Sequence, residues 1–290
     1  MQTIQNSKLT VVVSPQGAEL QSIKGQQDNL EYLWQGNPAH WGKRSPVLFP
    51  IVGALKEDTY HFEGNTYRLP RHGLARTRKF ELVQNSPQQL TYELKADDET
   101  ALIYPFDFRL RIDYLLIENT LRVSYNVLNL SSSADCWFSI GAHPAFNCPL
   151  LPDSKRSDYD LVFDISQTLD TELLDDAGLR SGKKRRVITE EKTLPISDNL
   201  FDDDALIFSN MKSKSLSLAK DGRQLLKVEF DDFDHLGIWS ASSKAPFICI
   251  EPWLGIADHI DHDQDLKQKE GIIRLAAGSE KTYAFDITIF

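Results

Sequence analysis

Apolar and polar residues alternate with a period of two along most of the chain, and this alternation limits what the chain can fold into. It is clearest between residues 106 and 130, where two runs are joined by a turn at Glu118-Asn119. The apolar positions of these runs are Phe108, Leu110, Ile112, Tyr114, Leu121, Val123, Tyr125 and Val127. Because successive side chains of a strand point to opposite faces, the runs predict an antiparallel pair with one buried and one wetter face.

Short strand-like runs recur along the rest of the chain, separated by turn residues. They are predicted at 9–13, 18–24, 60–62, 66–69, 79–84, 89–95, 159–164, 185–189, 205–208, 216–219, 225–230, 236–241, 247–250 and 283–290. The best helical candidate, 98–104, is short and stops at Pro105. Many short strands with frequent turns are typical of an all-β sandwich or barrel. Because no linker-like change in composition and no internal repeat interrupts the pattern, we predict one β domain over residues 1–290.

Charge and cysteine content exclude several classes of protein. The net charge is −10, so neither nucleic acid nor an anionic membrane is expected as a partner. The three cysteines, Cys136, Cys148 and Cys249, are odd in number and widely spaced, which argues against a disulfide framework. The N-terminus lacks a signal-peptide pattern, and no apolar run approaches the ~20 residues of a membrane-spanning helix. We expect a cytoplasmic protein.

Three stretches place one titratable side chain each at the end of a predicted strand. His143 follows a strand-like run and lies between Ala142 and Pro144, His72 lies in Arg-His-Gly-Leu-Ala-Arg at 71–76, and Glu251 follows the apolar run 247–250. A buried carboxylate is rare unless it is paired or functional. The competing interpretation is a core histidine beside a turn proline and, for His72, a turn histidine.

A fourth stretch, 258–263, alternates Asp and His residues and raises the question of a metal site. Asp and His are plausible metal ligands. A polar run of this kind is nevertheless typical of an exposed loop, and no helical carboxylate–histidine spacing accompanies it. We therefore predict no metal, and we leave open whether this segment binds anything.

Five motifs follow one another along nearly the whole chain, at 44–53, 71–76, 142–147, 201–205 and 250–255. Each is short, but in this order they resemble the aldose 1-epimerases, or galactose mutarotases, and most closely their LacX-like branch. The resemblance implies a single β-supersandwich of mostly antiparallel strands with a sugar cleft on one face of the large sheet. It also implies a cofactor-free isomerase that interconverts the α- and β-anomers of a hexose.

The resemblance also implies roles for individual residues. His143 matches the family's general acid, Glu251 its general base, and His72 a second histidine that binds the sugar. Opening a hemiacetal needs one proton removed from the anomeric hydroxyl and one delivered to the ring oxygen, so one acid and one base suffice. An imidazole with a pKa near 6.5 suits this exchange, and burial is expected to raise the glutamate pKa and make it a better base.

Further residues are implied as sugar ligands. Asp204 fits the family's hydroxyl-binding aspartate, although Asp202 and Asp203 are its neighbours, and Arg44 matches an arginine that contacts substrate. Phe146 or Trp253 is expected to pack on an apolar face of the sugar, and Trp253 fits a core position equally well. Arg44 and Arg76 also fit the interpretation of surface charges.

Two departures from the family pattern leave the sugar open. The commonest galactose mutarotases have Asn and Tyr where this chain has Ala142 and Ala145, and they lack an arginine at the position of Arg76, which resembles the hexose-6-phosphate mutarotases instead. A sugar phosphate is therefore a second possible substrate. A non-catalytic sugar-binding protein and a glycoside hydrolase using Asp204 and Glu251 are also compatible with these residues. The expected assembly is a monomer or homodimer.

Overall fold

Twenty-two strands and a few single helical turns make up the chain in the computed structural model, which describes residues 1–290. In chain order the strands are β1 (Gln2–Gln5), β2 (Leu9–Val13), β3 (Leu20–Gly25), β4 (Val47–Leu48), β5 (Thr59–Phe62), β6 (Asn65–Arg68), β7 (Glu81–Ser86), β8 (Gln89–Lys95), β9 (Phe108–Ile117), β10 (Thr120–Asn129), β11 (Cys136–Phe138), β12 (Ile140–Ala142), β13 (Ala145–Asn147), β14 (Tyr159–Leu174), β15 (Arg180–Pro195), β16 (Leu206–Ser209), β17 (Ser215–Lys220), β18 (Arg223–Glu229), β19 (His235–Trp239), β20 (Phe247–Leu254), β21 (Ile273–Leu275) and β22 (Glu280–Ile289). The helical turns are α1 (Asp98–Ala101) and four 3₁₀ turns at Lys56–Asp58, Ala75–Thr77, Arg156–Asp158 and Leu266–Gln268. No helix has the length and apolar character needed to cross a membrane.

Two large antiparallel sheets organise the molecule. The nine-stranded sheet has the order β15-β14-β17-β18-β22-β10-β9-β8-β7. The six-stranded sheet has the order β16-β19-β20-β12-β4, and β13 pairs with β20 beside β12. Smaller sheets are formed by β1-β2-β3, β5-β6 and β11-β21. The predicted all-β sandwich of mostly antiparallel strands is confirmed.

The main hydrophobic core lies between the two large sheets. Leu110 and Ile112 of β9 belong to the same core cluster as Ile238 of β19 and Ile250 of β20, and all four are fully buried. The apolar faces predicted for β9 and β10 are the buried faces. Each such side chain contributes about 1.5–3 kcal/mol when it leaves water, so the period-two pattern selects which face turns inward.

Strand β20 is buried on both faces, and this property places a carboxylate inside the protein. Ile248 and Ile250 belong to the main core, whereas Phe247 and Cys249 pack in a separate cluster on the opposite face. Glu251 shares that opposite face because it lies two residues after Cys249. The predicted strand end at residue 250 was wrong, since the buried run continues to Leu254 and Glu251 lies within the strand.

The hairpin of β14 and β15 is much longer than predicted. Each strand has 16 residues, and their pairing contains several register shifts. Charged residues interrupt the alternation along β15, which explains why the pattern indicated only residues 185–189. Its tip, between Leu174 and Arg180, carries Gly178 to the edge of a cavity described below.

Candidate active site

A cavity of about 370 Å³ lies on the face of the six-stranded sheet that points away from the main core. Most of the residues predicted to be functional line it, namely His72, Arg76, His143, Asp204, Glu251 and Trp253. They come from loops and strands that are distant in sequence. Its volume lies within the range of small-molecule sites in proteins, about 300–1,000 Å³.

His143 and Glu251 meet because β20 pairs with the strands on both sides of the histidine. Gly141 of β12 lies opposite Trp253, and Ala145 of β13 lies opposite Cys249. The short connection that carries His143 therefore runs alongside Glu251. His143 Nε2 and Glu251 Oε2 are 3.2 Å apart.

Both members of this pair are buried, and each keeps a polar atom without a hydrogen-bond partner. Glu251 is 1% exposed and His143 8%. Glu251 Oε2 and His143 Nδ1 have no partner, so the 3.2 Å contact is close but not aligned as a hydrogen bond. A buried polar atom left unpaired is costly, and such atoms are common where a protein binds or transforms a ligand.

Burial shifts the pKa values of Glu251 and His143 in opposite directions. It raises the pKa of Glu251 well above its usual range, the nearby Asp204 carboxylate adds to the rise, and the Trp253 indole opposes it in part. Burial lowers the pKa of His143 to about 3, and the nearby guanidinium of Arg76 acts in the same direction. The pair therefore favours a protonated carboxyl beside a neutral imidazole over an ion pair.

His72 is clamped into the cavity wall by the segment that follows β4. Its backbone N–H donates to the carbonyl of Gly53 at 2.9 Å, and its Nδ1 accepts from the Gly53 N–H at 3.1 Å. The acceptor role of Nδ1 places the proton of a neutral ring on Nε2. His72 has a φ of +68°, a strained conformation for a residue with a Cβ, and such strain persists where surrounding contacts enforce it.

The rings of His72 and His143 meet edge to face, with centroids 5.7 Å apart at 87°. Burial lowers the pKa of His72 well below its usual value, and the neighbouring His143 and Arg76 lower it further. His72 is therefore a neutral hydrogen-bonding group at neutral pH.

Two tryptophans that the sequence reasoning missed pack against His143. Trp41 stacks on its ring with centroids 4.9 Å apart at 23°, and Trp239 meets it edge-on at 5.8 Å and 80°. Both line the cavity. Trp41 lies in a stretch without periodicity, so the one sequence feature that could have identified it as a site residue is an aromatic side chain in a loop. Trp239 lies opposite Cys249 in the strand pairing, which the sequence does not reveal.

Trp253 lies over two glycines of the neighbouring strands. A Cβ on Gly237 of β19 would lie 2.4 Å from the indole, and one on Gly141 of β12 would lie 2.6 Å from it. Only glycine at these positions lets the ring approach the sheet so closely. Trp253 is 5% exposed and contributes an apolar wall to the cavity.

Arg71 and Arg76 bring two guanidinium groups to the cavity, and neither has a carboxylate within ion-pair distance. Arg76 Nη2 donates to the backbone carbonyl of Arg71 at 2.7 Å. The Arg71 guanidinium occupies the space beside Gly178, where a Cβ would lie 1.4 Å from Nη2. Burial and the charge of Arg71 lower the pKa of Arg76. The cavity therefore holds positive charge that no acidic group of the protein pairs with.

Among the three neighbouring aspartates, Asp204 is the one that lines the cavity. Its φ of +72° turns the chain at this point, and its Oδ1 accepts from the Ala205 N–H at 2.8 Å. Asp203 instead pairs with Arg185 at 3.1 Å.

Two predicted sugar ligands do not reach the cavity. Arg44 donates to Gln21 Oε1 at 2.5 Å and to the Gln35 carbonyl at 3.0 Å. Phe146 is fully buried in the main core, because it pairs with Ile248 and points to the same face of the sheet as that residue. Both predictions of substrate contact are therefore corrected by the structure.

The segment 258–263 is only partly the exposed loop that its composition predicted. Asp261 and Asp263 are exposed, but Asp258 is buried. Its Oδ1 accepts from Lys269 Nζ at 2.7 Å, and its Oδ2 accepts from the backbone N–H of Lys56 at 3.0 Å. Asp258 therefore forms a structural ion pair with Lys269.

Comparison with known proteins identifies relatives along the whole length. The aldose 1-epimerase family model matches residues 1–272. The chromosomal protein LacX of Lactococcus lactis subsp. lactis is 35% identical, covering 99% of this chain and 98% of that protein.

Two solved structures have the same architecture. A galactose mutarotase related enzyme from Lactobacillus acidophilus is 38% identical with a TM-score of 0.94, covering 100% of this chain and 97% of that one. A galactose mutarotase-like protein from Lactobacillus casei ATCC 334 is 33% identical with a TM-score of 0.93, covering 100% of both chains.

Proposed function

The chain belongs to the aldose 1-epimerase family and is a mutarotase-type isomerase, and we propose that it interconverts the α- and β-anomers of an aldohexose through His143 and Glu251. One observation carries the proposal. An imidazole and a carboxyl group lie 3.2 Å apart, both buried, each with an unpartnered atom, at the wall of a cavity of a size suited to a sugar. Strongly shifted pKa values of two facing groups in a cleft are typical of acid–base sites.

Ring opening requires that the C1 hydroxyl lose its proton while the ring oxygen gains one. Glu251 takes the proton from the hydroxyl and His143 donates to the ring oxygen; the C1–O5 bond then breaks and an aldehyde forms. Rotation about C1–C2 and closure with the reverse transfers produce the other anomer. No net proton is gained or lost, and each transfer accelerates the reaction by roughly 10²–10⁴-fold.

The resting proton of the pair lies on Glu251, because burial favours its protonated form and the neutral form of His143. Moving this proton across the 3.2 Å gap produces the imidazolium and carboxylate that the assigned roles require. In either arrangement the pair holds a single proton.

The remaining cavity residues are suited to hold the sugar. Asp204 accepts a sugar hydroxyl, and the Nε2–H of His72 donates to an oxygen near the reacting bond. Trp41, Trp239 and Trp253 offer flat apolar surfaces to the C–H groups of a pyranose.

The proposal is tested by measuring anomer exchange with saturation-transfer NMR over a panel of aldoses. We expect the wild type to accelerate exchange and His143→Ala to bind the sugar while exchange falls by roughly 10²–10⁴-fold. Unchanged exchange in His143→Ala would refute the assignment. Release of aglycone from an activated glycoside would instead identify a hydrolase, and sugar binding without exchange in the wild type would identify a non-catalytic protein.

A second candidate substrate, a 6-phosphorylated aldose, is favoured by the unpaired guanidinium groups of Arg71 and Arg76. Guanidinium groups bind phosphate through paired charge-assisted hydrogen bonds. The phosphate cannot be on C1, because anomer exchange needs a free C1 hydroxyl. C6 is bonded to C5, the carbon that carries the ring oxygen, and His143 is proposed to protonate that oxygen. Arg76 lies close enough to His143 to lower its pKa, so it is also close to the expected position of C6. A higher kcat/KM for the 6-phosphate than for the free aldose supports this candidate.

A further inference from the structure

The buried face that carries Glu251 also carries a thiol that the proposed reaction does not use. Cys249 lies two residues before Glu251 on β20, so both side chains point to the same face of the sheet. Cys249 is fully buried and forms no disulfide. One imidazole nitrogen of His143, the Cys249 sulfur and one carboxylate oxygen of Glu251 lie within 4.8 Å of one another.

We propose that this triad, His143, Cys249 and Glu251, is a binding site for a zinc-like divalent cation that competes with the sugar. Zinc takes nitrogen, sulfur and oxygen ligands at about 2.0–2.3 Å, so neighbouring ligand atoms of a tetrahedral site lie about 3.3–3.7 Å apart. Because the triad atoms lie within 4.8 Å of one another, their separations must shorten by at most about 1.5 Å to bind the ion. Three protein ligands leave the fourth position of a tetrahedral site for water.

An unpartnered atom points to the same site. Glu251 Oε2, which lies 3.2 Å from His143 Nε2, has no hydrogen-bond partner although Glu251 is only 1% exposed. An ion at the triad would satisfy one of the most costly features of the cavity wall. The neutral imidazole of His143 has its lone pair available, and a thiol with an imidazole selects zinc or cobalt over magnesium or calcium.

Entry to the site is through the cavity. His143 and Glu251 line it, and Trp41 and Trp239, which also line it, pack over the cluster that contains Cys249. Binding of the ion releases the protons of the Cys249 thiol and the Glu251 carboxyl to solvent, and the ion then takes up the lone pairs with which His143 and Glu251 exchange protons. The inhibition therefore rests on the proposed function, whereas the binding does not.

The binding is tested with tag-free protein and cobalt(II) as a spectroscopic substitute for zinc. We expect one bound ion, visible absorption typical of four-coordinate cobalt and a thiolate-to-cobalt charge-transfer band. Cys249→Ser and Cys249→Ala are expected to lose the charge-transfer band and to weaken zinc binding at least about 10–100-fold, as loss of a direct ligand should cost no less than that of a supporting residue. Two independent substitutions guard against a variant that does not fold, and both should keep anomer exchange.

Matched controls separate this site from other thiols and histidines. Cys148→Ser removes another buried cysteine, and His259→Ala removes a partly exposed histidine of the 258–263 segment; both should bind cobalt as the wild type does. Absence of binding, unchanged binding in the Cys249 variants, or loss of binding in His259→Ala would overturn the proposal.

Measuring how zinc affects anomer exchange separates the metal-site proposal from the mutarotase proposal. Zinc should inhibit anomer exchange competitively with sugar, magnesium should not, and the Cys249 variants should need at least about tenfold more zinc. A wild type that binds cobalt through its thiolate but never accelerates anomer exchange would support the metal site and refute the proposed function. Zinc inhibition that is unchanged in the Cys249 variants would overturn the metal site and leave the mutarotase proposal standing.

Discussion

Two clusters of titratable side chains, each with buried members, differ in how completely their polar atoms are paired. The reactive pair, His143 and Glu251, has unpartnered atoms and faces the cavity. The ion cluster consists of Glu172, Arg180, Asp258, Lys269 and Glu270. None of its buried side-chain nitrogens or oxygens lacks a partner.

The ion cluster holds chain segments together through its hydrogen bonds. Lys269 Nζ donates to Asp258 and to the carbonyl of Ile256, both at 2.7 Å. Arg180 donates through Nε to the carbonyl of Ala257 at 2.8 Å and pairs with Glu172 and Glu270. The comparison shows that burial alone does not mark a functional charge. The complete pairing of the ion cluster fits a structural role, and the unpaired atoms of the reactive pair beside the cavity fit a chemical one.

Glu251→Gln should produce the largest effect, a fall in kcat of roughly 10²–10⁴-fold, because Gln cannot accept or release the proton. Stability should change by no more than about 1 kcal/mol, because the amide resembles the protonated carboxyl that burial favours. Anomer-exchange rates and urea unfolding measure the two effects. A fully active or strongly destabilised variant would place Glu251 with the structural charges instead.

Asp258→Asn should show the opposite profile. It leaves Lys269 buried without a counter-charge, and breaking a buried pair in this way costs about 3–5 kcal/mol. The free energy of unfolding from urea titration measures the loss, and the folded fraction should keep most of its kcat. A loss below about 1 kcal/mol would remove the distinction between the two clusters.

Arg76→Leu sharpens the comparison at a cationic group, because Arg76 has no acidic partner and Arg180 has two. We expect KM for a 6-phosphorylated aldose to rise about 10–100-fold, since a charged hydrogen bond contributes about 1.5–3 kcal/mol. Stability should barely change. Arg44→Leu is the matched control and should leave KM unaltered. An equal rise in KM for free and phosphorylated sugars would contradict a phosphate-binding role.

The pH dependence of activity should show the smallest effect. The pKa of His143 is lowered to about 3 and that of Glu251 is raised. The pair should therefore keep its single proton at pH values both above and below the ordinary imidazole pKa of about 6.5. Between about pH 7 and pH 5, kcat/KM should therefore vary by less than about twofold, without the step that an unshifted histidine produces near 6.5. A clear step near pH 6.5, after subtraction of the uncatalysed rate, would contradict the one-proton pair.

Much of the fold could be predicted because burial has a local signature in strands. The alternation in β9 and β10 identified the inward faces correctly, and the apolar run before Glu251 predicted a buried carboxyl. The prediction failed where charge interrupted the alternation, as along β15, and where a strand is buried on both faces and its end has no polar signal, as in β20.

The candidate site was only partly predictable, since residues with the same local appearance have different surroundings. Arg44 and Arg76 both follow the motif pattern, yet only Arg76 lines the cavity. Phe146 points into the core, whereas Trp41 and Trp239, which carried no motif, contact His143. Which side chains meet depends on the pairing register of distant strands, and that register is not encoded within any one segment.

By itself, the sequence determined the strand pattern, the buried faces and the kinds of titratable group available, because each follows from interactions between residues close along the chain. The tertiary structure alone decided that His143 and Glu251 lie 3.2 Å apart, that Cys249 lies beside them, and that Asp258 is fully paired while Glu251 is not. These outcomes depend on β12, β13 and β19 all pairing with β20, and on how much water each charge loses when the strands come together.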